Sequence, residues 1–300
     1  MEFSECPVFE KEVESRDGIF TLTITEEDMS GIYPGMIRYT LRLFFRMREI
    51  AVFRTNTYEY TPTDPLDAKG AALKKAAEWE SGIHAEIDSF PASLSQRPAP
   101  RQFDIPGAEV IIIQGSPRAD GNCSILIEWA MESVLKSGGH ARVIYPHDMD
   151  IRPCIGCYQC YNTGTCTFDD DMSPLIAAVR SCSLLIICTP VYTNTVPGGL
   201  KMVIDRFQAY HAERSISKGV SGQKGLLFSV AGREGTEHFR CITSVVVPFF
   251  QNIGISGCGQ ILVDGADRIH DVRKVAGLRE KVESDVRKCL SGAANRSAGN

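Results

Sequence analysis

Four cysteines lie close together near the middle of the chain with the spacing C-x2-C-x2-C-x5-C: Cys154, Cys157, Cys160 and Cys166. Thiolates three residues apart can turn inward on one tight loop, and the glycines at 156 and 164 supply the backbone freedom that such a loop needs. Compact runs of this kind are the usual ligands of iron–sulfur clusters, whereas zinc usually takes two separated cysteine pairs. The spacing therefore favours an iron–sulfur cluster, with zinc, a disulfide-forming redox switch and unliganded thiols as alternatives.

A second candidate site follows the apolar, β-branched stretch Val110–Ile113. Its sequence is Gly-Ser-Pro-Arg-Ala-Asp-Gly-Asn-Cys-Ser, and we call residues 115–124 the phosphate loop. A Gly/Ser loop that leads into a helix presents unpaired backbone N–H groups and the positive end of a helix dipole to an anion. The side chains of Ser116, Arg118, Asn122 and Ser124 can add donors. The dinucleotide and P-loop glycine patterns are missing, which favours a single terminal phosphate. An ordinary helix cap at Asn122 is the alternative.

A third candidate site, residues 190–194, follows the apolar stretch Leu184–Cys188. The sequence Pro-Val-Tyr-Thr-Asn offers backbone amides and the ring of Tyr192 to a planar heterocycle. We call this segment the ring loop. Alone, this segment is weak evidence for a ring-binding site. Its position beside a phosphate-binding loop in the same sheet strengthens that evidence.

The elements that must position these residues alternate regularly after residue 108. Short apolar runs that read as strands buried on both faces are separated by segments with helical periodicity. The predicted strands are 110–113, 142–145, 184–188, 225–230 and 259–263, and the predicted helices are 122–136, 199–211, 237–252 and 272–290. This alternation predicts an α/β domain over residues 108–292, a doubly wound five-stranded parallel sheet with helices on both faces. Ligands of such sheets bind at the carboxyl ends of the strands.

Residues 1–91 predict a smaller α+β domain of unknown role. Alternating patterns predict a strand at 20–24 and a long strand at 37–47, continued as a hairpin to Tyr60, before a helix from Asp64 to Trp79. The arginines of the long strand are expected on a solvated face, with a patch for an acidic partner as the alternative. A Pro-rich linker is predicted at 92–107 and a disordered tail at 293–300.

The composition excludes several classes of function. A net charge of −5 gives no general attraction to nucleic acid or anionic membranes. The sequence has no apolar run long enough to span a bilayer and no signal peptide, so a cytoplasmic location with reduced cysteines is expected. Five further cysteines are expected to be inert buried thiols: Cys182, Cys188, Cys241, Cys258 and Cys289. No Ser/His/Asp pattern suggests hydrolysis, and no catalytic side chain is assigned.

These motifs together resemble the flavodoxin-like NADPH-dependent FMN reductase superfamily, and within it the iron–sulfur flavoproteins. The resemblance covers residues 108–265. Its matching residues are Gly115–Arg118, Gly121-Asn122, Pro153-Cys154-Ile155-Gly156-Cys157, Cys160, Gly164, Cys166, Asp170-Asp171-Met172, Thr189–Tyr192, Leu200-Lys201 and Asp205-Arg206.

The resemblance implies FMN and a 4Fe–4S cluster as cofactors. It implicates Ser116, Arg118, Asn122, Cys123 and Ser124 at the FMN phosphate, and Pro190, Val191, Tyr192, Thr193, Asn194 and Gly232 at the ring. The four cysteines of the run would be the cluster ligands. The family usually has Thr at position 123 and other residues after Tyr192, so this chain departs from the pattern at both places.

The resemblance also implies an electron-transfer function. We expect a ferredoxin-like electron carrier as donor and a homodimer or homotetramer as the assembly. A cluster-free reductase that uses NAD(P)H and FMN is the first alternative, and a redox-sensing binding module is the second.

Overall fold

The structure is a computed structural model that describes residues 5–16, 18–31, 33–60, 64–85, 108–118, 120–217 and 222–297. The predicted linker, 92–107, lies outside these residues. The chain divides into two compact units. The N-terminal unit contains residues 1–101, 155–167 and 215–217, and the C-terminal unit contains residues 102–154, 168–214 and 218–300. Residues 155–167, which we call the cysteine loop, therefore group with the N-terminal unit and not with the later domain in which the sequence placed them.

The N-terminal unit is an antiparallel sheet of four strands with one long helix, and the cysteine loop adds a short helix at Cys160–Thr163. The strands are β1 (Glu5–Ser15), β2 (Gly18–Asp28), β3 (Ile37–Phe45) and β4 (Arg48–Asn56), in that order across the sheet. Helix α1 (Ala68–His84) begins after Asp67, whose carboxylate accepts the Gly70 N–H at 2.6 Å. The predicted α+β class is confirmed, but β1 was missed and Asp67, not Asp64, caps the helix.

One face of this sheet is apolar and packs on α1. Alternate residues of the strands point to this face, including Leu22, Leu41 and Leu43, which are fully buried. Helix α1 covers them with small or apolar residues three or four positions apart, ending in Trp79 and Ile83. The long predicted strand is interrupted at Arg46 and Met47, which both have positive φ and form the tight turn between β3 and β4.

The C-terminal unit contains a parallel sheet of five strands. The strands are β5 (Val110–Gln114), β6 (Ala141–Ile144), β7 (Leu184–Pro190), β8 (Lys224–Val230) and β9 (Ser256–Val263), and their order is β6-β5-β7-β8-β9. Its longer helices are α2 (Asn122–Lys136), α3 (Met172–Ser181), α4 (Gly198–Arg206), α5 (Gln208–Ser217), α6 (Arg240–Asn252) and α7 (Leu278–Ser297). The last three residues of α5 fall in the N-terminal unit, and a short helix spans Ala266–Ile269. The predicted flavodoxin-like architecture is confirmed.

Burial explains why this sheet could be recognised from apolar runs. Ile111 and Ile112 point to opposite faces of β5, and both have no exposed surface. Such a strand must be covered on both sides, which requires helices on each face. Two predicted helices differ in detail, because 199–211 is divided into α4 and α5, and 272–290 begins with a 3-10 turn before α7. Helix α7 also runs into the predicted disordered tail, ending at Ser297.

Two of the cysteines expected to be inert thiols are joined instead. Cys258 of β9 and Cys289 of α7 form a disulfide with a Cα–Cα separation of 6.0 Å. The expectation of reduced cysteines is therefore wrong for this pair. Cys182 and Cys188 are buried free thiols as expected, and burial raises the pKa of Cys182 to about 12. Among the described residues, no helix combines the length and apolar character that crossing a bilayer requires.

Candidate functional site

The phosphate loop leaves the sheet at its carboxyl edge, between β5 and β7. The Gly115 N–H donates to the carbonyl of Cys188 at 2.7 Å, so the loop begins directly beside the end of β7. A Cβ at position 115 would lie 2.8 Å from Leu200 Cδ2 and 3.1 Å from Thr189 Oγ1, which explains the requirement for glycine. In the strand order of this sheet, β5 and β7 flank the switch point where flavodoxin-like folds bind their ligand.

Internal hydrogen bonds hold the phosphate loop in shape. The Arg118 N–H donates to Ser116 Oγ at 3.2 Å, and Ser124 Oγ donates to the Arg118 carbonyl at 3.3 Å. Gln114 Nε2 in turn donates to Ser124 Oγ at 3.0 Å from a fully buried position. The hydroxyl of Ser124 therefore braces the loop from beneath. Gln114 was missed by the sequence reasoning, although a polar residue at the end of an apolar strand was a usable indication.

Asn122 and Cys123 stand at the first turn of α2, where backbone N–H groups lack intrahelical partners. The helix follows Gly121, and among the described residues no side chain caps it. The Asn122 amide donates to the His270 carbonyl at 3.3 Å and accepts from the Val272 N–H at 3.1 Å. Cys123 is 3% exposed and its side chain belongs to the core. Both residues can thus offer an anion their backbone N–H groups rather than their side chains.

A cleft of about 520 Å³ opens beside the phosphate loop. Arg118 and Asn122 line it from the loop, and His270 and Arg273 line it from the segment after β9. The Arg273 guanidinium is held by Asp271 Oδ1 at 3.0 Å. Arginine and aspartate side chains thus border the cleft from two segments that are distant in sequence, Arg118 with Asp120 and Arg273 with Asp271. The contribution of residues 270–273 was not predicted, because nothing local marks this segment as a neighbour of the loop.

The ring loop extends from the end of β7 at the same edge of the sheet. The Val191 N–H donates to the Val230 carbonyl at 2.9 Å, and Tyr192 and Thr195 exchange two backbone hydrogen bonds of 2.9 Å each. Thr193 and Asn194 both have positive φ, which makes the loop a tight turn with its side chains exposed. Tyr192 is 37% exposed and can meet a ligand ring.

Gly232 follows β8, the next strand along the sheet. Its carbonyl accepts the Asp267 N–H at 3.0 Å. A Cβ at position 232 would overlap the carboxylate of Asp267, so this glycine permits a close approach of two loops. Because parallel strands end at one edge, the segments around residues 115, 190 and 232 leave the sheet side by side.

The cysteine run lies in the chain between β6 and α3. None of its four cysteines is in a disulfide, and Cys154 is exposed while the other three are partly buried. Gly156, Tyr158 and Gly164 have positive φ, so the backbone turns sharply three times within nine residues. In the N-terminal unit, Cys157 Sγ lies 3.9 Å from Thr167 Oγ1.

A buried ion pair fixes both flanks of the run within the C-terminal unit. Arg206 of α4 donates to both carboxylate oxygens of Asp170, at 2.6 and 2.9 Å, and to the Arg152 carbonyl at 2.6 Å. The Arg152 N–H also donates to Asp170 at 3.1 Å. Burial opposes ionisation of Asp170 and acts to raise its pKa. The hydrogen bonds from Arg206 and its charge, together with backbone N–H donors, outweigh burial and lower the pKa of Asp170 below its ordinary value. Asp170 therefore joins the two ends of the run, and its carboxylate also accepts the N–H of Met172, the first residue of α3, at 3.2 Å.

Comparison with known proteins decides the family. Residues 108–245 match the family described as NADPH-dependent FMN reductase. An iron–sulfur flavoprotein of Methanocaldococcus jannaschii is 30% identical over 144 residues, which are 46% of this chain and 75% of that protein. The chain belongs to the iron–sulfur flavoproteins of the NADPH-dependent FMN reductase family. It is an FMN-dependent oxidoreductase.

A further curated relative and a solved structure are also similar to this chain. The iron–sulfur flavoprotein of Methanosarcina thermophila is 32% identical over 94 residues, and the chain spans about half (49%) of its length. An NAD(P)H:quinone oxidoreductase from Methanothermobacter marburgensis superposes with a TM-score of 0.47 and 17% identity, over 63% of this chain and 96% of that one. The family match begins at residue 108, after the strands and helix of the N-terminal unit.

The residues fit the two cofactors to different degrees. The phosphate loop combines the N-terminal end of helix α2 with Arg118 beside an open cleft, as an FMN phosphate requires. The cysteine run has the right chemistry for an iron–sulfur cluster, because four cysteines outside disulfides lie on one sharply turning segment. Within the described part of the chain, however, no three His, Cys, Asp or Glu side chains are grouped closely enough to hold a metal ion.

Proposed function

We propose that this flavoprotein relays electrons between a low-potential, ferredoxin-like donor and an acceptor through a 4Fe–4S cluster and FMN. The observation that carries the proposal is the set of four cysteines outside disulfides within residues 154–166 of a chain that belongs to the iron–sulfur flavoproteins. When bound, the cluster would supply single-electron chemistry and FMN one- or two-electron chemistry.

The chain's own residues would bind and orient these groups. The N–H groups at the start of α2 and the guanidinium of Arg118 would hold the FMN phosphate, while Ser116 and Ser124 keep the phosphate loop in shape. Residues 190–194 and Gly232 would border the ring. The thiolates of the cysteine run would ligate the cluster, which requires that their side chains converge when iron and sulfide bind.

Anaerobic purification followed by measurement of iron, sulfide and FMN tests this function. We expect about four iron atoms per chain and a visible absorbance that dithionite bleaches. Cys157→Ser should lose most of the iron and keep FMN, because the phosphate loop does not contain this residue. Cys241→Ser is the matched control, since Cys241 is also a partly buried free thiol but lies outside the run.

The same preparations separate the alternatives. Iron-free protein that oxidises NAD(P)H at full rate would contradict the relay and support a cluster-free reductase. Protein that binds FMN but passes no electrons to any added acceptor would support a redox-sensing module. Electron uptake from reduced ferredoxin that Cys157→Ser abolishes is the result expected for the relay.

A further inference from the structure

The N-terminal sheet has a polar face opposite the face that packs on α1. Leu41 and Leu43 of β3 point to the apolar core, so Arg38 and Arg42, at the alternate positions, belong to the opposite face. Arg54 of β4 is on this face as well, because it pairs with Thr40 in the ladder. The cysteine loop belongs to the same unit, and its residues bond to this polar face.

Arg38 anchors the loop at the carbonyl of Tyr161. Its Nη1 donates to that carbonyl at 3.0 Å, while its Nε and Nη2 donate to Glu27 Oε2 at 3.0 and 2.5 Å. The side chains of Arg38 and Glu27 are 4% and 3% exposed. The expectation of solvated arginines is therefore wrong for Arg38. A buried guanidinium with a fixed counter-charge is a rigid donor for a loop carbonyl.

Asn162 is the second anchor, and it is only 3% exposed. Its Oδ1 accepts from Asn56 Nδ2 at 2.9 Å, and its Nδ2 donates to Glu59 Oε1. Its carbonyl accepts from Arg54 Nη1 at 3.3 Å. Every polar group of the Asn162 side chain thus has a partner from β4 or the turn that follows it.

Aromatic rings supply the third anchor. The rings of Tyr158 and Tyr161 both lie edge-on to Tyr33, with centroids 5.6 and 5.7 Å away. Tyr58 contacts the Tyr158 ring edge-on at 5.1 Å. Tyr161 has no exposed surface, so the loop inserts an aromatic side chain into the N-terminal unit.

The anchored residues alternate along the chain with the cysteines. Tyr158 lies between Cys157 and Cys160, and Tyr161 and Asn162 directly follow Cys160. Surface loops are ordinarily among the most mobile parts of a protein. Three anchors within five residues instead hold this backbone in one conformation. Ordering the loop and burying its polar partners costs free energy, a cost that an ordinary surface loop avoids.

We propose that the N-terminal unit holds the cysteine loop in place. It positions the backbone that carries Cys157 and Cys160, so this backbone is ordered before any metal binds. Arg38, Arg54 and Asn162 are positioning residues in this role. That the thiols ligate a cluster rests on the proposed function, whereas the holding itself does not.

Two substitutions release anchors without leaving a buried charge unpaired. Asn162→Ala removes the bonds to Asn56 and Glu59, and Arg54→Met removes the donor to the Asn162 carbonyl. Arg42→Met is the matched control, because Arg42 is on the same face and bonds to Thr25 and Glu5 of the sheet itself. Removing Arg38 is less useful, since the Glu27 carboxylate would be left buried alone.

The first measurement is the alkylation rate of individual thiols by iodoacetamide in the iron-free full-length chain, mapped by mass spectrometry. Cys6 of β1 is exposed and serves as the internal reference thiol. The thiols of Cys157 and Cys160 are half-buried, so they react faster in the state in which the loop has opened. Loss of an anchor raises the population of this open state. We expect their rates relative to Cys6 to rise about 5- to 30-fold in Asn162→Ala and Arg54→Met, as loss of one or two kcal/mol implies.

The second measurement follows reconstitution with iron and sulfide. The released variants should bind iron more slowly than the Arg42→Met control. Relative alkylation rates within twofold of the control in both variants would overturn the holding role. Failure of the unmodified chain to bind iron would overturn the proposed cluster but not the holding role, because alkylation is measured without iron.

Discussion

The buried pair of Asp170 and Arg206 permits the sharpest prediction about the C-terminal unit. The two side chains are 2% and 1% exposed. The carboxylate accepts two hydrogen bonds from Arg206, one from the Arg152 N–H and one from the Met172 N–H. Asp170→Asn keeps the size of the side chain but removes its charge, so the buried guanidinium of Arg206 loses the carboxylate that accepts two of its hydrogen bonds.

The expected cost follows from that burial. Removing one partner of a buried ion pair destabilises a protein by about 3–5 kcal/mol, because the remaining charge is uncompensated. For a unit of this size, each kcal/mol lowers the midpoint of thermal unfolding by about 2–4 °C. We therefore expect Asp170→Asn to lower the midpoint by about 6–20 °C.

The two tryptophans allow each unit to be followed separately. Trp79 lies in α1 of the N-terminal unit and Trp129 in α2 of the C-terminal unit, and both are buried. In a Trp79→Phe background, Trp129 fluorescence reports urea unfolding of the C-terminal unit. Asp205→Asn is the control, because Asp205 pairs with Lys201 at 2.5 Å on the exposed side of the same helix. Its loss should cost less than about 1 kcal/mol.

The pH dependence provides a second test of the same reasoning. Arg206 lowers the pKa of Asp170 in the folded chain, so the stabilisation is complete above the ordinary value of 3.8 and is lost as the pH falls through the folded value. The difference in unfolding free energy between the unmodified chain and Asp170→Asn should be largest near neutral pH and shrink in acid. A cost below about 1 kcal/mol, or a difference independent of pH, would refute the argument.

Three further predictions concern other parts of the chain. Ser124→Ala should weaken FMN binding about fivefold, because it removes the hydroxyl that braces the phosphate loop. Flavin fluorescence measures the binding. Ser133→Ala, in the same helix, should leave FMN binding unchanged, and equal effects of the two substitutions would contradict the role of Ser124. Burial raises the pKa of Glu59, so its stabilisation is complete below 4.5 and lost as the pH rises through the folded value. Glu59→Gln should therefore gain stability relative to the unmodified chain as the pH rises in urea titrations, and a constant difference would count against this. Cys258→Ser should lower the unfolding free energy by about 2–4 kcal/mol without reductant, and a difference that persists in reductant would not come from the disulfide.

Much of the C-terminal fold could be predicted because its information is local. The strands of the parallel sheet are continuous apolar runs, and helix α2 occupies the predicted residues 122–136. The phosphate loop was recognisable from its glycines and serines at the junction of a strand and a helix. The roles of its side chains were less predictable, since Asn122 bonds to the backbone after β9, about 150 residues away.

The N-terminal unit was predicted less well for the same physical reason. Alternation in β2 and β3 was visible, but β1 is mostly exposed and offered little apolar pattern. Arg38 reads in the sequence as one of several surface arginines. It is buried because Glu27 lies opposite it in the ladder and because the Tyr161 carbonyl, 123 residues later, accepts its third bond.

The sequence by itself determined which segments become strands and helices, the position of the phosphate loop and the presence of four closely spaced thiols. These features depend on neighbours within a few residues, through apolar periodicity, glycine content and cysteine spacing. Only the tertiary structure decided that the cysteine loop groups with the N-terminal sheet, that Asp170 meets Arg206, and that Cys258 meets Cys289. Such contacts form because packing brings together segments that are distant in the sequence. No local sequence pattern identifies the partner residue.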